Sequence, residues 1–279
     1  MNKIKVSAIF SILGLLVSCG ESDLSRNFAL EIEKGAKKIQ QHESVGIGLK
    51  NRADLPVDSV VYFLDGNPIT PADGKLTFSD PVLGTKHIQA HVFSEGQKAI
   101  LETEILVLAK ERPALYTYEI LNSYPHDPKA FTQGLEFYKD TLYESTGRRG
   151  TSTLRKVDYK TGTVLTQIAL DKQYFGEGLT ILNDTVYMLT WQSGTGFMFD
   201  AKTLSKLGSF EYGESDEGWG LANDGVHIFK SDGTQRIWTL YPGTLQETGF
   251  VETVTDKSVF NKANELEYVE GKLYANVWQ

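Results

Sequence analysis

Short runs in which apolar and polar residues alternate follow one another through the first part of the chain. Residues 45–49 and 87–93 alternate strictly, and residues 57–64 are rich in β-branched and aromatic side chains. Such runs are typical of half-buried strands, and the Asp-Gly pair that follows residues 57–64 favours a tight hairpin turn. Several short strands within about 70 residues predict a small β-sandwich of immunoglobulin-like type over residues 44–109.

Further along, the alternating runs are organised into a long repeat. Four leucines mark it, Leu135, Leu179, Leu221 and Leu266, at spacings of 42 to 45 residues. The first three follow a Gly, which is Glu265 in the fourth copy. A period of about 43 residues is the length of one four-stranded propeller blade. Residues 114–279 are therefore predicted to form a β-propeller.

Two further signatures recur at fixed distances from these leucines. An apolar residue followed by Tyr begins seven residues after the Leu in three of the four copies, and an Asp-x-x-Thr step follows at residues 158–161 and 200–203. Asp and Thr side chains stabilise tight turns by bonding to nearby backbone groups. We therefore expect this step to be the turn between the two outer strands of a blade.

The innermost strand of each propeller blade lines a central channel. A Gly beside the repeating Leu lets the backbone pass close to the propeller axis. The polar residues next to it should then face one shared cavity from successive blades, and they are Gln133, Glu177, Trp219 and Asn264. Residues that are far apart in the sequence are therefore predicted to form a single site.

The N-terminus has the features of a lipoprotein signal. Lys3 and Lys5 precede an apolar stretch, residues 6–17, which is too short to span a bilayer, and Leu-Val-Ser then leads to Cys19. This pattern resembles a bacterial lipobox, with residues 1–19 as the signal and Cys19 as the lipidation site. It predicts anchoring in the cell envelope, facing the periplasm or the exterior; an ordinary secretory signal is the alternative. The polar residues 20–43 are predicted to be a tether.

Composition restricts the function further. The formal net charge is −8, and most of this acidity falls after residue 114, which opposes a nucleic-acid partner because phosphate binding needs a basic surface. All four Trp lie in the same region, where they suit either a ligand pocket or the core of the blades. With a single Cys, the chain forms no internal disulfide and offers no Cys-based metal site.

The ordered motifs of the repeat region resemble the plant-type glutaminyl cyclases, which also occur in bacteria. The shared motifs are residues 124–127, 131–135, 143–147, 174–180, 218–221, 231–234, 264–268 and 275–279. Each motif alone is weak, but eight in the same order are rarely a coincidence. The resemblance implies a five-bladed propeller without a metal or other cofactor. It also implies peptide or protein substrates whose N-terminal Gln is converted to pyroglutamate with loss of ammonia.

The resemblance also implies roles for individual residues. The catalytic candidates are Glu177 and Asn264, and the substrate-binding candidates are Gln133, Glu144, Trp191, Trp219 and Trp278. Glu177 would carry a proton as base and then acid, and Asn264 would donate to the amide or the oxyanion. Gln133 and Glu144 are second choices, for recognition of the amide and of the α-ammonium. The alternative for Glu144 is to brace neighbouring strands.

Two departures from the family pattern lead to further expectations. The pattern continues beyond Asn-Val-Trp-Gln with a last blade and a Thr-Gly-Lys motif, whose Lys belongs to the active site and has no counterpart here. Residues 116–121 read as a strand that would complete such a blade. We therefore expect the chain as given to be a fragment that is inactive and prone to aggregate, and the full-length protein to be a monomer.

Two other functions stay open at this point. One is a propeller hydrolase that binds Ca²⁺ at the axis, for which Glu177, Asn264 and Asp232 would be ligands. The other is a non-catalytic surface lipoprotein that holds a peptide or glycan on its propeller face.

Overall fold

Two β-rich regions make up residues 24–279 of the computed structural model, which is the part of the chain that the structure describes. The predicted signal segment and Cys19 lie outside these residues. Short 3-10 turns at Leu24–Asn27 and Glu33–Gly35 accompany the strands of the first region. Within residues 24–279, no helix has the length and apolar character needed to cross a membrane.

The first region is a sandwich of two sheets. Its strands are β1 Phe28–Ile32, β2 Lys38–Gln40, β3 Ser44–Asn51, β4 Ser59–Leu64, β5 Asn67–Ile69, β6 Lys75–Thr77, β7 Gly84–Ser94 and β8 Gln97–Leu108. One sheet has the order β1-β3-β6 and the other β2-β8-β7-β4-β5, with β2 parallel to β8. Buried Ile47 of the first sheet packs with Ile88 and Ile105 of the second in one core. The immunoglobulin-like type of this sandwich stays a prediction.

The prediction of a tether over residues 20–43 is wrong for the part that the structure describes. Strand β1 pairs with β3, and its first residue, Phe28, is 2% exposed in the sandwich core. Strand β2 pairs with β8 and buries Ile39. These strands are short and flanked by charged residues, so the average composition of the segment is polar although some of its residues are apolar. The burial of those apolar residues depends on strands that come later in the chain.

The second region contains three four-stranded units and one two-stranded unit. Their strands are β9 Thr132–Tyr138, β10 Thr141–Thr146, β11 Thr153–Asp158, β12 Thr163–Ala169, β13 Gly176–Leu182, β14 Thr185–Thr190, β15 Thr195–Asp200, β16 Lys206–Glu211, β17 Leu221–Asn223, β18 Ile228–Ser231, β19 Arg236–Leu240, β20 Glu247–Glu252, β21 Ala263–Val269 and β22 Lys272–Val277. Each unit is an antiparallel meander in chain order. The repeat predicted from the four leucines is therefore confirmed as a series of blades.

The Asp-x-x-Thr steps are the turns between outer strands, as predicted. Asp200 Oδ1 accepts hydrogen bonds from both the backbone N–H and the hydroxyl of Thr203, each at 2.7 Å, between β15 and β16. Asp158 Oδ1 accepts a bond from the Lys160 N–H at 2.9 Å in the matching turn between β11 and β12. Short-range side-chain bonds thus reverse the chain at the outer turns of the first two blades.

Neighbouring blades are joined by shared apolar layers. Tyr143 and Leu154 of the first blade pack with Leu179, Met188 and Phe197 of the second in one buried cluster. The Tyr143 hydroxyl also donates a hydrogen bond to the carbonyl oxygen of Ala201 at 2.7 Å. These layers fix the angle between blades, and with it the relative positions of the inner strands that line the axis.

The prediction of a strand over residues 116–121 is wrong. These residues have no regular secondary structure, and Tyr116, Tyr118 and Ile120 are 87%, 90% and 72% exposed. A strand needs a hydrogen-bonding neighbour. Among residues 24–279 none pairs with this segment, so an apolar, strand-like sequence stays irregular and solvated.

Candidate active site

The inner strands carry irregularities at the positions singled out from the sequence. The β9–β10 register shifts at Gln133, the β13–β14 register shifts at Glu177-Gly178, and the β21–β22 register shifts at Asn264-Glu265. Such β-bulges leave a residue out of the ladder and redirect its side chain. At these bulges the side chains of the candidate residues no longer follow the alternation between the two faces of the sheet. All three bulges lie at the N-terminal end of their inner strands.

The glycines of the repeat allow backbone-to-backbone contact near the axis. A Cβ atom added at Gly220 would lie 2.0 Å from the Asn264 carbonyl oxygen, and one added at Gly178 would lie 2.6 Å from the Gly220 Cα. No side chain fits in these places. The backbones of three successive inner strands therefore approach closely beside Glu177, Trp219 and Asn264.

Two serines secure the strand segments that carry the catalytic candidates. The Ser145 hydroxyl donates a hydrogen bond to the Glu177 carbonyl oxygen at 2.6 Å, and the Ser231 hydroxyl donates one to the Asn264 carbonyl oxygen at 2.6 Å. Each serine belongs to the second strand of the preceding blade and stands ten residues after its repeating Leu. The bulges are thus held by neighbouring blades, which limits their movement.

Glu177 is a buried carboxyl that the protein leaves unbonded. The residue is 6% exposed, and its carboxyl group makes no hydrogen bond to any other residue of 24–279. Burial, assisted by the negative charge of Glu217, raises the pKa of Glu177 to about 9. Glu177 therefore carries its proton at neutral pH and has that proton free to donate.

Asn264 also presents an unsatisfied polar group. Its side-chain oxygen Oδ1 is buried and has no hydrogen-bond partner among the described residues. An unpaired buried group of this kind costs about 1–3 kcal/mol, and such groups concentrate where a ligand completes the hydrogen bonding. Glu177 and Asn264 therefore each present an unpaired polar group on an inner strand.

Glu265 occupies the space that the glycines leave. Its Oε1 accepts a hydrogen bond from the Leu135 N–H at 3.2 Å, and its buried Oε2 has no partner within the described chain. A Cβ added at Gly178 would lie 2.7 Å from Oε2. Burial raises the pKa of Glu265 well above its ordinary value, and nearby carboxylates including Glu177 add to the effect. The sequence signal for this residue was a Glu where the other copies have Gly.

An aromatic wall lies at the same end of the blades. We use this name for Phe131, Phe175, Trp191, Trp219 and Trp278. Ring centroids lie 6.1 Å apart for Phe131–Phe175, 5.6 Å for Phe175–Trp191 and 6.1 Å for Trp219–Trp278, and all three pairs meet edge to face. The three tryptophans expected to line a pocket thus lie with two phenylalanines that sequence reasoning missed.

The repeat explains how these rings come together. The backbone N–H of Trp191 donates a hydrogen bond to the Phe175 carbonyl oxygen at 3.0 Å. The backbone N–H of Trp278 donates one to the Lys262 carbonyl oxygen, also at 3.0 Å, so the two tryptophans occupy equivalent positions. Phe131 and Phe175 are equivalent in the same way, each two residues before a candidate polar residue. That shared position was the available signal for the phenylalanines.

Cations stand over three members of the wall. The Arg148 guanidinium lies 4.4 Å from the Phe131 ring centroid, and the Lys262 ammonium lies 5.1 Å from that of Trp278. The Arg149 guanidinium lies 6.0 Å from the Trp191 centroid. These exposed side chains form a positive rim around apolar rings and a buried acidic group.

Gln133 and Glu144 occupy different surroundings. The Gln133 side chain lies against Gly147 beside the Phe175 ring, within the aromatic wall. Glu144 is 1% exposed, and its Oε1 accepts bonds from the Thr132 hydroxyl at 2.6 Å and faces His126 Nε2 at 2.9 Å. Its carboxylate is engaged inside the protein, which supports the bracing role for Glu144 over recognition of a substrate ammonium.

One ligand of the Ca²⁺ alternative has other partners in the structure. Within residues 24–279, no group of three or more His, Cys, Asp or Glu side chains is placed to hold one. Asp232, a ligand in the Ca²⁺ alternative, accepts bonds from Trp238 Nε1 at 2.7 Å and from the Thr234 N–H at 2.9 Å. Its carboxylate is committed to the blade core and to a turn.

Comparisons with known proteins agree with this arrangement. The chain is 44% identical over 169 residues to a glutaminyl-peptide cyclotransferase of Arabidopsis thaliana, a match that covers 58% of this chain and 50% of that protein. The chain thus spans about half the length of this curated relative. The crystal structure of the Myxococcus xanthus glutaminyl cyclase is similar with a TM-score of 0.52 and 31% identity, covering 57% of this chain and 67% of that one.

The match to a family model is longer than either of these. It runs over residues 87–279, from the last two strands of the sandwich through every blade described above, and its description is glutamine cyclotransferase. The bulged inner strands, the buried Glu177 and the aromatic wall all lie inside that range. The chain belongs to the glutamine cyclotransferase family.

Proposed function

We propose that this protein is a glutaminyl-peptide cyclotransferase, which converts the N-terminal Gln of peptides or proteins to pyroglutamate and releases ammonia. The observation that carries the proposal is Glu177, a protonated and unbonded carboxyl at the foot of an aromatic wall. The family membership and the names of the relatives support it. In chemical terms the reaction is an intramolecular acyl transfer from the side-chain amide to the α-amine.

The chemistry needs one proton to be moved and one bond to be exchanged. The neutral α-amine attacks the side-chain carboxamide carbon, a C–N bond closes the five-membered ring, and the bond to the departing nitrogen breaks. The departing nitrogen must gain a proton, and the attacking amine must lose one. Because Glu177 rests protonated, it gives its proton to the departing nitrogen and regains one from the former amine. This order, acid and then base, reverses the expectation from the sequence.

The remaining residues supply position and polarity. A free α-amine with a pKa of about 8 is partly neutral at physiological pH, so a strong base is not required, and most of the barrier lies in folding the side chain back on itself. The aromatic wall would enclose the apolar methylenes of the Gln side chain. The side-chain N–H of Asn264 would donate to the carboxamide oxygen as negative charge develops there, and its unpaired Oδ1 would accept a hydrogen bond from a substrate N–H.

A coupled ammonia assay tests the proposal. The purified full-length protein, extended beyond residue 279, is expected to release ammonia from a Gln-initiated peptide and none from the same peptide with an acetylated N-terminus, which lacks the nucleophile. The rate should be the same with and without a chelator. Equal ammonia release from both peptides, or none from either, would refute the proposed activity, and loss of activity with chelator would favour a Ca²⁺-dependent enzyme.

We also propose that Cys19 is lipidated and anchors the protein in the bacterial cell envelope. The support is the sequence pattern of a charged segment, an apolar stretch and a single Cys after Leu-Val-Ser. The several acyl chains of a lipoprotein Cys hold more firmly than one chain does. Cys19→Ser should move the protein from the membrane to the soluble fraction, and retention in the membrane would contradict the proposal.

A further inference from the structure

One carboxylate joins two tryptophans of the aromatic wall that come from different blades. Glu217 Oε2 accepts hydrogen bonds from Trp191 Nε1 and from Trp219 Nε1, each at 2.7 Å. Its other oxygen, Oε1, accepts a bond from Gln192 Nε2 at 2.9 Å. Trp191 follows the second strand of one blade and Trp219 precedes the first strand of the next. Glu217 therefore bridges two blades at the mouth of the site.

A buried ion pair holds the segment that carries Glu217. Lys230 is 0% exposed, its Nζ lies 3.2 Å from Glu247 Oε1, and it donates a hydrogen bond to the Glu217 carbonyl oxygen at 2.9 Å. Glu247 Oε2 accepts bonds from the backbone N–H groups of Glu214 and Ser215, at 2.7 and 3.1 Å. Since the Lys230 and Glu247 side chains are shielded from water, the backbone beneath Glu217 has little freedom to move.

This support is specific to the third blade. In the second and fourth repeats, the carbonyl oxygen four residues before the repeating Leu accepts a bond from the backbone N–H of Trp191 or Trp278. In the third repeat the equivalent carbonyl oxygen belongs to Glu217 and accepts its bond from the Lys230 ammonium. In the third repeat, a hydrogen bond from the buried Lys230 ammonium thus takes the place of a backbone hydrogen bond. This replacement occurs in the repeat whose Glu217 carboxylate joins the two tryptophans.

Glu217 keeps its negative charge in this setting. Burial opposes its ionisation, but hydrogen bonds from Gln192, Trp219 and Trp191 outweigh burial and hold the pKa of Glu217 below its ordinary value. Glu177 has the opposite behaviour, because burial and the Glu217 charge both raise its pKa. A neighbouring pair of carboxyl groups with opposite protonation is a recurring feature of acid–base sites.

We infer that Glu217 is a positioning residue for cyclisation: it locks the indoles of Trp191 and Trp219 into one wall and sets a fixed negative charge near Glu177. The inference deepens the proposed function and rests on it. With both indole N–H groups turned to the carboxylate, the ring faces remain for the Gln side chain. A loose wall would admit water and the wrong rotamers of the substrate, so KM would respond more than kcat.

Two substitutions separate the hydrogen bonds from the charge. Glu217→Gln keeps an oxygen that accepts the indole bonds but removes the charge, whereas Glu217→Leu removes both. Asp216→Leu is the matched control, because Asp216 is an exposed neighbour in the same acidic segment and bonds to neither indole. Acrylamide quenching of Trp fluorescence reports the lock, and KM, kcat and the pH profile report its consequences.

The expected results differ for each variant. Glu217→Leu should roughly double the quenching and raise KM about tenfold while kcat changes by less than about threefold. Glu217→Gln should quench like the wild type but move the alkaline limb assigned to Glu177 to lower pH, because the Glu217 charge that raises the Glu177 pKa is gone; Asp216→Leu should change neither the quenching nor the alkaline limb. Melting curves establish that each variant is folded, and the pH profile of Glu217→Gln decides the matter if Glu217→Leu does not fold.

Specific outcomes would overturn the inference. Wild-type quenching and KM in a folded Glu217→Leu protein would show that the indoles need no lock, and an unshifted pH profile in Glu217→Gln would show that the charge does not act on Glu177. Quenching does not depend on turnover. A wild-type protein that releases no ammonia would therefore refute the proposed function, while the quenching comparison would still test the lock.

Discussion

Replacing the proton carrier should make the protein more stable and less active at the same time. Glu177 is 6% exposed, has no hydrogen-bond partner among the described residues, and has a pKa raised to about 9 by burial and by the charge of Glu217. A carboxyl with a raised folded-state pKa favours unfolding as pH rises, because the unfolded chain releases a proton that the folded chain retains. Glu177→Gln removes the titrating carboxyl group and keeps the size and shape of the side chain.

The size of the effect follows from the pKa values. The ionisation of Glu177 destabilises the fold between pH 4.5, the ordinary pKa of a Glu side chain, and about pH 9, the pKa in the folded protein. Each pH unit in this range lowers the free energy of unfolding by about 1.4 kcal/mol. Between pH 5 and pH 8 the stability of Glu177→Gln relative to the wild type should therefore rise by about 2–4 kcal/mol. Over the same range, turnover should be about 10²–10⁴-fold lower in the variant, since an amide cannot carry the proton.

Urea unfolding at pH 5 and pH 8 measures this difference. Glu247→Gln is the control, and it should change the free energy of unfolding in the opposite direction. The Glu247 side chain is also buried, but its pKa is lowered. Burial opposes its ionisation, and hydrogen bonds from Ser215 together with the Lys230 charge outweigh burial. Its contribution to stability is present above the unfolded pKa and is lost as pH falls through the lower folded value. Glu247→Gln should therefore destabilise the protein at pH 8.

A particular result would refute this reasoning. If the stability difference between Glu177→Gln and the wild type is the same at pH 5 and pH 8, then Glu177 is ionised in the folded protein and is not the resting proton donor. If the difference grows with pH but turnover is unchanged, then Glu177 is a buried structural acid and the proton is carried elsewhere.

Three other predictions concern the framework of the site. Gly220→Ala should unfold the protein or cost more than about 3 kcal/mol in urea, since its Cβ would lie 2.0 Å from a backbone oxygen; an ordinary melting curve would contradict the close packing of the inner strands. Lys230→Met should cost about 3–5 kcal/mol by leaving Glu247 buried without its cation, and adding Glu247→Leu should recover most of the loss; equal instability of the single and double variants would argue against the pair. Ser145→Ala should lower kcat with a change in unfolding free energy of only about 1–2 kcal/mol, because it frees the Glu177 carbonyl; unchanged kinetics would show that the bulge holds itself.

Much of the framework was available from the sequence because it depends on local or repeated signals. The alternation of apolar residues, the spacing of the four leucines and the Asp-x-x-Thr turns each act over a few residues, and the structure confirms the blades and their outer turns. The Gly beside the Leu marked the inner strands correctly. The glycine repeated at this position reflects a steric limit near the axis that the first three blades share.

The places where prediction failed all depend on distant partners. Phe28 belongs to a strand only because β3 and β8 supply a sheet and a core, and residues 116–121 form no strand because no neighbour pairs with them. Local composition pointed the wrong way in both cases. Strand formation depends on hydrogen-bonding neighbours, and these come from elsewhere in the chain.

For the site too, some features were predictable from the sequence and others depend on the tertiary structure. The sequence alone predicted that Glu177, Trp219 and Asn264 face one shared cavity. Only the tertiary structure decided that Glu177 rests protonated, that Glu265 enters the axis, and that Glu217 joins two indoles. Protonation and indole orientation are set by burial and by charges from neighbouring blades, and those distances exist only once the blades are packed together.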